Sequence, residues 1–280
     1  MILVTGATGN VGSQIVHQLL AQGQKVRAFT RDAAKIAPWN GRVQVALGDF
    51  THPDTFASAV AGVKGVFLMN GALDDELFRQ LVAIARERGV RRIVFLSSQL
   101  AADPASPIGR LHKGKEDALL ASGLEVAIIR AGSFMSNTNQ WVGSIKSHGL
   151  VYDPTGNGPV APIHPADIAA VAVHALTAPK LSETFFEVTG DKPLTTAERV
   201  DILAKVLGRP LRVVEVTAEA AVEGLVKNGI PPHVAQALGA SFAAIRDGHA
   251  ATVTDTVERV TGQKPRSYES WVREHAAQFA

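Results

Sequence analysis

T-G-A-T-G-N-V-G, residues 5–12, follows the apolar run Ile2-Leu3-Val4 and leads into an apolar-periodic stretch, Val11, Ile15, Val16, Leu19 and Leu20. Strand, glycine-rich turn and helix start therefore succeed one another within two dozen residues. Such a turn aims backbone N–H groups and the positive end of a helix dipole at an anion. Its usual guest is a dinucleotide diphosphate. Gly6 permits the tight turn out of the strand, Gly9 lets backbone approach the diphosphate, and Gly12 lets the helix pack on the sheet. The spacing, G-x-x-G-x-x-G, is one residue longer than G-x-G-x-x-G. Glycine also serves ordinary turns, so the context carries the reading. Thr8, Asn10 and Val11 complete the anion-facing set.

Outward from this turn, short apolar segments alternate with amphipathic ones. Strands are expected at 25–29, 43–47, 65–69, 92–96 and 125–129, and helices at 53–60, 74–88 and 111–122. Asp74-Asp75-Glu76 at one helix start and Arg86 and Arg88 near its end suit the helix dipole. The pattern predicts an α/β fold of the Rossmann type, a doubly wound parallel sheet covered on both faces. After Arg130 the pattern changes. Residues 131–139 are small and polar, 153–165 form a Pro/Gly/Asn loop, 167–176 a helix, and 183–188 a strand that could return to the sheet. Beyond Thr195 the chain is mainly helical, with one strand at 211–216 and cap chemistry in Thr195-Thr196-Ala197-Glu198. The expected organisation is a dinucleotide domain at 1–150, with 165–190 returning to it. A smaller, mainly helical substrate lobe takes 151–164 and 191–280.

The 280 residues carry a net charge of +2 and 46% hydrophobic residues. Lys and Arg are scattered, so no nucleic-acid partner is expected. Zero cysteines exclude disulfides and thiolate metal sites. No signal peptide is read, and no apolar run approaches the ~20 residues that cross a bilayer. The expectation is a cytoplasmic protein without a membrane partner, monomeric or homodimeric.

T-G-A-T-G-N-V-G, G-D-F at 48–50, S-S-Q at 97–99, S-G-L-E-V-A-I-I-R-A-G-S-F-M-S-N at 122–137 and H-P-A-D-I-A at 164–169 together resemble the NmrA-like branch of the short-chain dehydrogenase/reductase superfamily. The likeness spans nearly the whole chain. It is strongest to bacterial NAD(P)H-dependent reductases of quinones, azo dyes and triphenylmethane dyes. The branch also holds dinucleotide-binding redox sensors with no known catalysis. The resemblance implies that Asp49 and Phe50 lie near adenine. Met69, Asn70 and Gly71 at one strand end, and Ser97 and Ser98 at another, would pass close to the cofactor.

After the second strand, Thr30 stands where a ribose-binding carboxylate would favour NAD, and Arg31 follows. A guanidinium can pair with a 2′-phosphate, and Lys35 can add charge. NADPH is the expected cofactor, with NADH possible. Asp32 could neutralise Arg31 or cap a helix.

Many short-chain dehydrogenases use a Tyr-x-x-x-Lys pair. This chain has only Tyr152 and Tyr268, neither with Lys four residues on. Aligned on Ser122-Gly123, His112 takes the tyrosine's place and Glu116 the lysine's. The two share one helix face, so Glu116 could orient the imidazole or raise its pKa. An exposed surface pair would look the same. Phe134, Met135, Asn137 and Trp141, after the sixth strand, are expected to face the cleft and suit a flat aromatic acceptor. His164 is a candidate substrate contact, and Asp167 a helix cap. No H-E-x-x-H or G-x-S-x-G appears, so neither a catalytic metal nor a serine nucleophile is expected. Three functions stay open: a reductase of an apolar, quinone-like electrophile, a non-catalytic redox sensor, and a tailoring enzyme acting on a ketone or enone.

Overall fold

A computed structural model describes residues 1–39, 41–69 and 74–280 of the chain. Seven strands form one sheet: β1 (Ile2–Thr5), β2 (Val26–Thr30), β3 (Gln44–Leu47), β4 (Gly65–Met69), β5 (Arg92–Ser98), β6 (Glu125–Ala131) and β8 (Phe185–Val188). Their order is β3-β2-β1-β4-β5-β6-β8, and every pairing is parallel. The remaining strands, β7 (Leu150–Asp153) and β9 (Arg212–Glu215), make a separate parallel pair. The helices are α1 (Asn10–Ala21), α2 (Pro53–Ala59), α3 (Asp75–Glu87), α4 (Pro107–Leu120), α5 (Val142–His148), α6 (Pro165–Thr177), α7 (Thr196–Leu207), α8 (Ala218–Lys227), α9 (Pro232–Arg246), α10 (Thr256–Thr261) and α11 (Tyr268–His275).

Both faces of the central strands β1, β4, β5 and β6 are covered, which is why these read as largely apolar runs rather than alternating ones, whereas the edge strand β3 is mostly exposed. One core layer joins alternate residues of the central strands, such as Val4 and Phe67, to Ile15 of α1 and Ile168 of α6. The opposite layer joins Leu3, Val66 and Phe95 to Phe56 of α2, Phe78 of α3 and Leu119 of α4. A third core, around Trp271, packs α5, α7 and α11 and includes Met135 and Trp141. Strand order reverses between β1 and β4, so the crevice at their carboxyl ends is the topological switch point where such sheets bind ligands.

Local chemistry sets the helix starts. The Asp74 carboxylate accepts the Leu77 amide at 2.8 Å, and Asp75 and Glu76 fill the first turn of α3. Ser106 caps α4, with Pro107 in its first turn. Thr195 and Glu198 close a capping box on α7. At α6 the expected cap is wrong. The His164 imidazole accepts the Ala166 amide at 3.0 Å through Nδ1. Asp167 sits inside the helix, accepts the Arg266 amide at 2.7 Å and pairs with its guanidinium.

Candidate functional site

The glycine turn leaves β1 at the switch point. Gly6 has φ +58°, and a Cβ there would lie 2.3 Å from Met69 Sδ. A Cβ on Gly12 would lie 2.1 Å from the Gly6 carbonyl oxygen, so only glycine lets α1 start this close to β1. The Gly9 amide donates to that same carbonyl at 2.9 Å. Among the described residues, a Cβ on Gly9 would meet only that oxygen within 4 Å, at 3.3 Å. Otherwise it would enter the open space in front of the helix. Thr8, Gly9 and Asn10 are exposed there, whereas the Val11 side chain is buried and has only its amide to offer. The first amides of a helix have no acceptor inside it. A glycine turn at a helix start, with exposed residues and no bulky side chain at its apex, fits a dinucleotide diphosphate.

At the end of β2, Arg31 is 81% exposed, with Nη1 3.8 Å from Asp49 Oδ2. Asp32 does not neutralise it. Its Oδ1 accepts the Ala34 amide at 2.9 Å and caps the 3₁₀ turn Ala33–Trp39, on which Lys35 is exposed. The Thr51 amide and hydroxyl, with help from Arg31, hold the Asp49 carboxyl below its ordinary pKa. Phe50 is half-buried between Phe29 and Phe56. Asn70 and Gly71 lie outside the described residues.

The ends of β5 and β6 carry a buried polar group. Glu116, fully buried on α4, accepts from Arg130 Nε at 3.0 Å and Nη2 at 2.6 Å, and from the Ser97 hydroxyl at 2.6 Å. Glu116 is therefore committed to the sheet, and its influence on His112 differs from expectation. Burial first, and Lys115 second, push the His112 pKa below 6.5 despite the opposing pull of Glu116. The imidazole is half-buried, 6.5 Å from the Phe95 ring, an environment that disfavours its charged form. The Ser97 hydroxyl donates to Glu116, and the Ser98 hydroxyl accepts the Leu100 amide at 3.2 Å. Lys115, buried beside Asp75 at 3.2 Å, and Arg130 were not singled out from the sequence. A lone arginine in the apolar run E-V-A-I-I-R-A was the available signal.

On the acceptor side the expectations divide. Phe134 is half-buried and bridges Ile163, and Asn137 is exposed. Met135 and Trp141, expected at the cleft, are buried in the third core instead. His164, the expected substrate contact, is 4% exposed, caps α6 and lies 3.3 Å from Glu274. Asn10 Nδ2 donates to Ser136 Oγ at 3.2 Å, tying the glycine turn to this segment. Tyr268 is buried against Thr138, and burial pushes its phenol up to about 12. Among the described residues, no group of three His, Asp or Glu side chains could hold a metal, and no helix is long and apolar enough to cross a membrane.

Comparison with known proteins agrees with this geometry. The chain is 36% identical over 284 residues to NAD(P)H azoreductase of Xenophilus azovorans, covering 100% of this chain and 99% of that protein. It is 36% identical over 282 residues to (4-alkanoyl-5-oxo-2,5-dihydrofuran-3-yl)methyl phosphate reductase of Streptomyces griseus, covering 100% and 99%. Its fold superposes on the NADPH complex of quinone oxidoreductase QOR2 from Escherichia coli with TM-score 0.86 at 22% identity, covering 98% and 99% of the two chains. The sequence pattern of the NAD(P)H-binding family matches residues 6–179, and the chain belongs to that family.

Proposed function

We propose that the protein is an NADPH-dependent reductase that delivers hydride to an apolar, conjugated acceptor such as a quinone, an azo compound or an enone. The observation that carries the reading is the glycine turn at the switch point, where Gly6 and Gly12 let α1 start close to β1 and Gly9 stands exposed at its N-cap. Full-length relatives named as reductases support it and weigh against the sensor alternative. The bound cofactor would supply the hydride. The chain's own contribution is placement and a dry surround. Arg31 faces outward at the end of β2 and would pair with a 2′-phosphate, with Lys35 adding positive charge. Phe134 would flank the acceptor, and residues 151–164 with 191–280 would close that side. His112, whose charged form burial disfavours, would hydrogen-bond the acceptor rather than start as an imidazolium. A reduced quinone or azo nitrogen can take its proton from water, so a strong acid is not required.

Steady NADPH oxidation with a panel of quinones, azo dyes and enones tests the proposal. Turnover with at least one acceptor is the expected result. Tight NADPH binding without turnover on any of them would replace the reductase by the sensor.

A further inference from the structure

Position 116, where the familiar lysine of a catalytic pair would stand, holds a carboxylate that cannot reach a substrate, because it is fully buried. Its partners come from two adjacent strands. Ser97 on β5 and Arg130 on β6 are register neighbours in the sheet, and both bond to the one carboxylate on α4. The Arg130 guanidinium is itself held from three sides: its fork grips Glu116, Nη1 lies 3.8 Å from Glu187, and its plane rests 4.5 Å over the Phe185 ring. A buried bidentate pair of this kind contributes little net stability but specifies geometry strongly, because either partner left alone is a stranded charge. What it specifies here is the position of α4 on the sheet, and His112 lies one turn before Glu116 on that helix.

We infer that Glu116 is a positioning residue: clamped by the Arg130 fork and the Ser97 hydroxyl, it fixes α4 against the ends of β5 and β6 and so sets where His112 stands. The inference rests on the proposed reductase reading for its catalytic consequence, though not for its geometry. Glu116 carries no proton to the acceptor. The charged groups around His112 on its own helix are Lys115 and Glu116, and those facing them are Asp75 from α3 and Arg130 from β6.

The decisive variant is Arg130→Lys, which keeps the charge and loses the fork. Glu116→Gln keeps the shape and loses the charge, and Ser97→Ala removes one bond without stranding a charge should the others fail to fold. All three are expected to lower kcat, Arg130→Lys and Glu116→Gln by about tenfold to a hundredfold, with the Kd for NADPH unchanged. The second readout is the His112 imidazole titration followed by proton NMR, which needs no turnover. Arg130→Lys keeps the formal charges, and a displaced His112 midpoint accompanied by changed NOE contacts between the His112 and Phe95 rings reports a moved ring. Wild-type kcat together with a wild-type midpoint in Arg130→Lys overturns the inference. Should the native protein reduce no acceptor, the reductase reading fails while the NMR midpoint still decides the clamp.

Discussion

Arg31 is the residue on which the proposed preference for NADPH turns. Its guanidinium is exposed and only loosely held by Asp49, so it can swing to a phosphate without breaking a buried contact. Asp49 is pinned by the Thr51 amide and hydroxyl, which hold its carboxyl below the ordinary pKa. Replacing Arg31 by Glu should raise the Kd for NADPH at least about tenfold, the loss of one charge-assisted hydrogen bond plus repulsion, and leave the Kd for NADH nearly unchanged. Fluorescence titration with both nucleotides checks this, and equal weakening of the two would remove Arg31 from the 2′-phosphate. The place of Arg31 directly after a strand end was legible in the sequence. Glu116 was also singled out there, as the partner of His112, but the buried pairing that holds it was not legible. Its partner Arg130 lies 14 residues away on a different element, and the helical spacing pointed instead to His112. Spacing along a helix reports which side chains share a face, but not which of them a neighbouring strand has claimed.

Element by element, the chain announced itself where burial and periodicity coincide. Strands β1, β4, β5 and β6 are largely apolar runs because both their faces are covered. By contrast, β7 escaped notice: it has four residues, Tyr152 on it is exposed, and it pairs with β9, some sixty residues later. The segment after β6 misled for a different reason. It winds into a 3₁₀ turn, Met135–Trp141, whose three-residue period puts Met135, Thr138 and Trp141 on one inward side and leaves Asn137 outside. The start of α6 yields a prediction. His164 caps this helix with an unprotonated Nδ1, and burial, outweighing the pull of Glu274, holds its pKa below the ordinary 6.5. The unfolded chain therefore binds the proton more readily than the folded one. The stabilisation is complete above pH 6.5 and is lost as pH falls through the lowered folded value. Asparagine also caps helices well but does not titrate, so His164→Asn should cost no more than about 1 kcal/mol at pH 8. It should also flatten the fall in melting temperature below pH 6.5. A wild-type pH slope in the variant would mean that another group carries it, with His112, also held below 6.5, the first to examine.

For the whole molecule, the reversal of strand order between β1 and β4 puts the glycine turn, the Arg31 end of β2 and the end of β4 around one crevice. A dinucleotide bound there touches several elements at once, and none of that surface exists in the unfolded chain. Binding should therefore stabilise the fold by about 2.7 kcal/mol at a hundredfold excess over Kd. For a chain of this size that is a rise in melting temperature of roughly 5 °C. Two glycines of the turn separate the fold's needs from the ligand's. At Gly12 an added Cβ would lie 2.1 Å from the Gly6 carbonyl oxygen, so Gly12→Ala must push α1 off β1, lowering the melting temperature and abolishing the NADPH response together. At Gly9 the backbone has φ −88°, which alanine accepts, and the new methyl would crowd that oxygen only at 3.3 Å while projecting into the hollow in front of the helix. Gly9→Ala should thus melt close to the native protein without ligand and lose most of the shift with it. A full NADPH shift in Gly9→Ala would mean that the diphosphate is held elsewhere, because of the three glycines of the turn Gly9 alone takes a methyl without an approach under 3 Å to a described atom.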